Sequence, residues 1–154
     1  MISIDCSKKG SNMTKDVELM IKGVQKYADH VDDDLQTCAK GEYYFRNGSH
    51  YVLYEEHNEG FTETTKSMLK LKDGCLEMTR KGLVNTSMVF EQGKETASTY
   101  KTPFGEMMLG IRTKKLNVTT AEDKIQIKVA YALEAEGRHM AECEIEVVVR
   151  ESYS

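Results

Sequence analysis

An arginine in phase with apolar residues marks the position where this chain could do chemistry. After Asp73-Gly74, the residues Leu76, Met78 and Arg80 alternate with other side chains, so a strand would place all three on one face. A buried ion without a partner costs several kcal/mol. An inward Arg80 therefore needs an inward carboxylate or a bound anion.

A preceding alternating segment supplies a carboxylate for Arg80. Tyr54 and Glu56 alternate with Leu53 and Glu55, so whichever face points inward carries one acidic residue. We assign Glu56 as the partner of Arg80, because Tyr54 on the same face has an amphipathic side chain that suits the lining of a barrel.

Two interpretations of the pair of Arg80 and Glu56 remain open. In the first, they form a structural ion pair near a barrel mouth, partly solvated and without a function. In the second, Arg80 is the specificity group of an internal pocket and binds a carboxylate or phosphate through its fork of donors. Glu56, Tyr54 and Tyr100 would line this pocket with it, beside apolar or partly apolar side chains at Met78, Met88 and Phe90.

One acidic tract has a spacing that could suit a metal. Glu55, His57 and Glu59 lie two residues apart and would share a strand face. The tract ends at a predicted turn, so we favour a solvated acidic rim and expect neither a metal site nor a cofactor. Three further histidines near predicted turns are expected to be exposed: His30, His50 and His139.

The sequence contains no recognisable catalytic or nucleic-acid-binding motif. G-x-S-x-G, H-E-x-x-H, the P-loop and the G-x-G-x-x-G fingerprint are all missing, and we assign no catalytic residue. Basic residues at 66, 70 and 72, and at 112, 114 and 115, are interleaved with apolar positions. A solvated outer face explains them better than a nucleic-acid surface, so no nucleic-acid partner is expected.

Short alternating segments separated by turn signals would position these residues. Asn47-Gly48 and Asp73-Gly74 favour two-residue hairpins, because both turn positions need a positive φ. Residues 16–27 fit a helix about as well as a strand, but Gly23 would cost a helix about 1 kcal/mol relative to alanine, which favours a strand. Asp32 to Asp34 are predicted to form a polar hairpin loop. The predicted strands lie near 16–27, 34–46, 50–58, 62–72, 75–81, 83–91, 95–102, 105–117, 123–135 and 139–150.

This regular turn spacing predicts an all-β fold, a single antiparallel meander β-barrel of about eight to ten strands. No residue pattern forces closure over an open sandwich, but long strands with one polar face and a single proline suit a barrel wall. The interior of such a barrel is filled by side chains or holds one small ligand. We expect the barrel over 15–151, a flexible N-terminal leader at 1–14 and a short tail at 152–154.

Composition limits the class of protein. A chain of 154 residues has room for one domain, and 30% charged residues without a long apolar run exclude a membrane-spanning helix. A net charge of −4 offers no general attraction for nucleic acid or anionic lipid. The first 13 residues lack the apolar segment of a secretory signal, so export is not expected, and the four cysteines form no C-x-x-C pair. These features favour reduced thiols in a cytoplasmic protein that has no membrane partner.

Several motifs occur in a specific order along the chain. They are Tyr54-Glu55-Glu56, Arg80-x-Gly82, Phe90-x-x-Gly93, Tyr100-x-Thr102-x-Phe104-Gly105 and Thr113. This order resembles the YwiB-like family of small bacterial proteins, a domain of unknown function, from about residue 16 to 149. The resemblance implies a calycin-type, lipocalin-like β-barrel in a bacterial cytoplasm. It implies no assigned activity, ligand or catalytic residue.

We therefore expect a calycin-like barrel that binds a small amphipathic or acidic ligand through Arg80, Glu56, Tyr54 and Tyr100, by fold analogy. The alternative is a non-enzymatic protein-interaction module with a side-chain-filled interior. In that case the nine methionines, among them Met107 and Met108, would give an adaptable surface for a partner or a homodimer. An enzyme is the least favoured hypothesis, because it needs an inward cluster of titratable groups with shifted pKa values.

Overall fold

Ten strands account for the regular structure of the described residues. The computed structural model describes residues 16–27, 31–57, 64–82 and 84–152, apart from the side chains of 31–35 and 57. Within these ranges no helix is long and apolar enough to cross a membrane. The strands are β1 (Asp16–Lys26), β2 (Val31–Arg46), β3 (Ser49–His57), β4 (Thr64–Lys72), β5 (Cys75–Lys81), β6 (Asn85–Glu91), β7 (Glu95–Thr102), β8 (Gly105–Thr120), β9 (Lys124–Ala135) and β10 (Arg138–Glu151).

The sheet closes on itself into a barrel. Each strand pairs antiparallel with the next along the chain, and β1 pairs with β10 from Val17 opposite Glu151 to Lys26 opposite Glu142. Closure joins the first and last strands, whose free edges could otherwise pair with another chain. The predicted all-β meander is confirmed, and the pairing of β1 with β10 settles the closure that the sequence left open.

The tight turns have the backbone that the glycine-containing dipeptides predict. Asn47-Gly48, Asp73-Gly74 and Glu136-Gly137 have positive φ at both turn positions. This conformation matches the right-handed twist of the flanking strands in a two-residue hairpin. The two hairpins predicted from Asn-Gly and Asp-Gly are confirmed.

The start of β2 differs from the prediction. β2 begins at Val31 rather than at residue 34, so the prediction of a hairpin loop at Asp32 to Asp34 was wrong. The backbone of Asp32 lies opposite Gln25 and that of Val31 opposite Lys26. Pairing with an ordered neighbouring strand outweighs the low strand propensity of aspartate. The predicted leader at 1–14 lies outside the described residues.

Apolar side chains fill the middle of the barrel. Every second residue of β9 from Ile125 to Leu133, and of β10 from Ala141 to Val149, is buried. From the neighbouring wall, Phe90 of β6 is fully buried, and its ring centroid lies 4.9 Å from that of Tyr131. Burial of this apolar surface is the main stabilising contribution to folding. The inward arginine and histidine side chains lie toward the two ends, at Arg80 and His50.

The two ends of the barrel carry different residues. We call the end where β3, β5 and β7 finish the arginine end, because it carries Glu56, Arg80 and Tyr100. We call the end with the turns at 47–48 and 73–74 the histidine end, because it carries His50.

Gly41 allows β3 to lie close to β2 because it has no side chain. Its replacement by alanine should destabilise the fold. Gly41 lies opposite Tyr54, and a Cβ atom there would lie 2.7 Å from the carbonyl oxygen of Leu53. Because this oxygen belongs to the backbone, β3 would have to shift. We expect Gly41→Ala to lower the free energy of unfolding by about 1–3 kcal/mol in urea denaturation.

Gly110→Ala is the matched control for Gly41→Ala. A Cβ atom at position 110 would meet its nearest neighbour, the Cβ of Glu134, at 3.7 Å, which is ordinary contact. Alanine also reduces the conformational entropy of the unfolded chain, so stability should be unchanged or rise by up to about 1 kcal/mol. Equal losses for the two variants would contradict the assigned approach of β3 to β2.

Candidate functional site

Three of the four predicted site residues lie on one row that crosses the strands from β3 to β7. The directly opposite residues are Tyr54 and Ser67, Ser67 and Arg80, Arg80 and Thr86, then Thr86 and Tyr100. Opposite residues of neighbouring strands point to the same side of a sheet. All five side chains therefore lie on the inward face at the arginine end.

Glu56 lies two residues beyond Tyr54 on β3 and so shares its face. Its Oε1 atom lies 3.4 Å from Nε of Arg80, and the side chains of Glu56 and Arg80 are 18% and 33% exposed. The structure thus brings together the arginine and the carboxylate that the alternating pattern assigns to each other. Their partial exposure places the ion pair at the mouth rather than in the apolar middle.

Hydroxyl groups from two other strands hold the Glu56 carboxylate. Ser67 Oγ on β4 donates to Oε1 at 3.1 Å, and Thr37 Oγ1 on β2 donates to Oε2 at 3.5 Å. Each carboxylate oxygen therefore has a partner, and the carboxylate is oriented from β2, β4 and β5 together. Hydrogen bonds of this kind reduce the cost of keeping a charge away from water.

The ion pair uses only part of the Arg80 guanidinium. Glu56 contacts Nε, and no other carboxylate of the described residues lies within 4.0 Å of Arg80. A guanidinium has five N–H donors in one plane. The contact with Glu56 therefore leaves donors of the guanidinium unused. Tyr54 lies close enough to Arg80 for the arginine to act on the pKa of its hydroxyl.

Tyr54 is a neutral donor or acceptor in this site. Burial raises the pKa of its hydroxyl, the negative charge of Glu56 raises that pKa further, and the positive charge of Arg80 opposes the shift. Since an unperturbed tyrosine has a pKa of about 10, Tyr54 keeps its proton at neutral pH. It can therefore donate a hydrogen bond without adding a second negative charge beside Glu56.

The other predicted lining residues lie at different depths. Tyr100 stands at the far end of the row, is 36% exposed, and makes no hydrogen bond to Arg80 or Glu56. Met78 is nearly buried two residues deeper on β5, and Phe90 belongs to the filled middle of the barrel. Met78 is thus the next inward residue of β5 after Arg80, whereas Phe90 lies on the cross-strand row of Leu76, Leu71 and His50.

The acidic tract after Glu56 does not build a metal site from described residues. Glu55 points to the outer face, away from Glu56, because neighbouring residues of a strand alternate. The side chain of His57 and the whole of Glu59 lie outside the described residues. In the described part of the chain, no three histidine, cysteine or acidic side chains come together as metal ligands.

The prediction that His50 is exposed was wrong. His50 lies on the inward face of β3 at the histidine end, where its Nδ1 atom is 2.9 Å from the hydroxyl oxygen of Tyr43. Its position beside the Asn47-Gly48 turn suggested exposure, but the alternation with Val52 and Tyr54 sends it inward. His139 is exposed, as predicted, and pairs with Glu142. His30 lies outside the described residues.

Aromatic and basic side chains of the outer wall stack on one another. The rings of Tyr44 and Tyr51 are 5.0 Å apart and nearly parallel. The guanidinium of Arg46 lies 5.5 Å from the Tyr44 ring, and the ammonium of Lys70 lies 5.7 Å from the Tyr51 ring. These cation–π contacts, each worth about 0.5–1 kcal/mol at exposed sites, give Lys70 a structural role on the wall.

Sequence reasoning missed the hydroxyl residues of the site. Ser67 and Thr37 bind Glu56, and Thr86 is buried beside Arg80. A signal for one of them is present in the sequence, since Ser67 is in phase with Leu69 and Leu71. A small hydroxyl residue at a core position of a strand that neighbours an inward charge is a candidate partner for that charge.

Comparison with known proteins identifies the family. The model of a domain of unknown function, DUF1934, matches residues 19–147. The chain belongs to the DUF1934 family. It is 34% identical over 107 residues to the uncharacterized beta-barrel protein YwiB of Bacillus subtilis (strain 168), covering 66% of this chain and 73% of YwiB. This confirms the resemblance inferred from the ordered motifs.

A solved structure supports the fold of this DUF1934 chain. The crystal structure of the ywiB protein from Bacillus subtilis superposes with a TM-score of 0.78 at 22% sequence identity, covering 90% of this chain and 92% of that protein. At this identity the likeness shows a shared fold. The finer calycin-type assignment and the ligand-binding role of the row stay predictions.

A double-mutant cycle measures the coupling between Glu56 and Arg80. We expect Glu56→Gln to destabilise more than Arg80→Met, because it leaves a partly buried cation without its carboxylate. The coupling energy should be about 1 kcal/mol in urea unfolding, limited by the partial exposure of both side chains.

The exposed pair of Glu91 and Lys94 is the control for this cycle. Their charged atoms are 2.9 Å apart, but the side chains are 40% and 64% exposed. Solvent screening should keep the coupling between Glu91→Gln and Lys94→Met to a few tenths of a kcal/mol. A coupling between Glu56 and Arg80 no larger than this would show that their pairing does not contribute to the fold.

Proposed function

We propose that the arginine end binds a small amphipathic anion, with its acidic group on Arg80 and its apolar part against Tyr100 and Met107. The observation that carries this proposal is the partial use of the guanidinium. Glu56 contacts Nε at 3.4 Å, and no other carboxylate of the described residues lies within 4.0 Å. A carboxylate or phosphate would complete the charge-assisted contacts of an arginine that is held in place from one side.

Charge at the site favours one acidic group. Glu56 balances the charge of Arg80, while the neutral Tyr54 hydroxyl supplies a donor and no further charge. The net charge of the chain is −4, so its general field does not attract anions. Specificity for an acidic ligand must therefore come from Arg80 itself, with Glu56 as the residue that orients it.

An exposed apolar surface continues from the row beyond Arg80. Tyr100 and Met107 are opposite partners on β7 and β8 and are 36% and 51% exposed. The hairpin that carries them extends beyond its neighbours, since β8 pairs with β9 only from Gly110 onward. A cation beside an accessible apolar surface is the arrangement that recognises a ligand with an acidic head and an apolar tail.

The second candidate function is a protein-interaction module. The same hairpin carries Phe104, which is 98% exposed at the turn, and Met108, which is 62% exposed. Exposed aromatic and methionine side chains are frequent in adaptable protein interfaces, including homodimers. Both candidates are binding roles without catalysis, and both suit the cytoplasmic location expected from the sequence.

Titration with octanoate tests the anion proposal by isothermal titration calorimetry. Acetate keeps the acidic group without the tail, and octan-1-ol keeps the tail without the charge, so both should bind more weakly than octanoate. We expect Arg80→Met to weaken octanoate binding about tenfold or more, which corresponds to about 1.4 kcal/mol.

Arg150→Met is the control for Arg80→Met, because Arg150 is exposed on the outer face of β10. The affinity of the Arg150→Met variant for octanoate should equal that of the unmodified chain. If octanoate bound equally well to the Arg80→Met variant, or failed to bind the unmodified chain, the anion proposal would be wrong. Failure to bind would favour the interaction module.

A further inference from the structure

An open hollow of about 490 Å³ lies at the histidine end, away from Arg80. His50 and Leu71 line one side of it, and Val118 of β8 lines the other. The hollow exists because the strands differ in length. β7 pairs with β8 only as far as Arg112, whereas β9 accompanies β8 to Thr120. The last part of β8 is therefore paired in the sheet on one side only.

The backbone N–H and C=O groups of Val118 point away from β9, toward the side where β7 no longer pairs with β8. The N–H of Ala121 donates to the carbonyl of Lys124 on the β9 side at 2.8 Å. In an antiparallel ladder, directly opposite residues alternate between pairs that hydrogen-bond to each other and pairs that do not. Residues 117 and 119 therefore pair with β9, while 116 and 118 point away from it. The N–H of Leu116 confirms this parity, because it donates to the side chain of Gln92 at 3.1 Å.

Val118 thus presents one N–H donor and one C=O acceptor at a strand edge. No described residue forms a hydrogen bond with Val118 on this side. The side chain of Val118 is 40% exposed and lines the hollow. A residue with both groups free at an edge is the unit that pairs with an added extended strand.

His50 adds a polar atom to the wall of the hollow. Its Nδ1 atom is engaged by the Tyr43 hydroxyl at 2.9 Å, and the Phe45 ring packs against it edge-on. This leaves Nε2 without a hydrogen-bond partner among the described residues. Burial lowers the pKa of His50, so the ring is neutral at physiological pH and adds no cation to the hollow.

We propose that this hollow binds a short extended peptide whose central side chain is uncharged. One residue of the peptide pairs through its N–H and C=O with Val118, and its side chain enters the hollow beside Leu71. His50 Nε2 offers a further hydrogen bond. Main-chain pairing gives affinity in this mode of recognition, while the side-chain pocket gives specificity. The volume of the hollow lies within the range of small-ligand sites.

Charge at the rim disfavours acidic peptides. Asp73 lines the hollow, and the neutral His50 does not offset its negative charge. This preference is opposite to that proposed for the arginine end. The two sites share no residue, so the failure of one proposal would leave the other standing.

Nuclear magnetic resonance of the ¹⁵N-labelled full chain tests the proposal with N-acetyl-Ala-Leu-Ala-amide. We expect shifts of the Val118 and Thr119 amide signals and of the His50 ring. The same peptide methylated on the leucine nitrogen lacks the N–H that would pair with Val118. Its affinity should be lower by about tenfold or more. A peptide with glutamate in place of leucine should also bind more weakly.

Proline substitutions separate the free edge from the paired edge. Val118→Pro removes an N–H that does not pair with β9, so the variant should fold and lose peptide binding about tenfold or more. Thr119→Pro removes an N–H that pairs with β9 and should destabilise the barrel. Three results would overturn the proposal: no shift at Val118, equal binding of the methylated peptide, or full binding by a folded Val118→Pro variant.

Discussion

A closed sheet forces every second side chain inward, and a charge in that series needs compensation. Arg80 follows Leu76 and Met78 on the inward face of β5, so its charge cannot turn to the outer face without a change of register. The contact between its Nε and Oε1 of Glu56 at 3.4 Å meets this requirement. The positions of Ser67 and Thr37 around the carboxylate follow from the same constraint.

The length of the barrel separates its chemistry into two regions. Phe90 and the inward residues of β9 and β10 fill the middle with apolar side chains. The inward arginine and histidine lie where strands end, with Arg80 at one end and His50 at the other. At each end of the barrel, part of a strand extends beyond the strand next to it. The hairpin of β7 and β8 extends beyond β9 at the arginine end, and β8 extends beyond β7 at the histidine end.

Alternation along a strand predicts which face a residue occupies but not its depth in the barrel. This is why the inward orientation of Arg80 and its pairing with Glu56 could be predicted, together with most strand limits. Depth depends on the register between strands, which turn geometry and bulges decide. The partnership of Ser67 with Glu56 depends on this register and was missed. His50 was misplaced because its nearness to the Asn47-Gly48 turn was given more weight than its alternation with Val52 and Tyr54. The start of β2 at Val31 depends on pairing with β1, which local propensity at Asp32 does not reveal.

The side-chain Nε–H signal of Arg80 in a ¹H–¹⁵N spectrum tests the central claim most directly. If Arg80 is held inside the mouth by Glu56, this proton should exchange with water more slowly than that of the exposed Arg150, and Glu56→Gln should shift its signal and speed its exchange. An Arg80 signal that exchanges as fast as that of Arg150, and that does not respond to Glu56→Gln, would contradict the account.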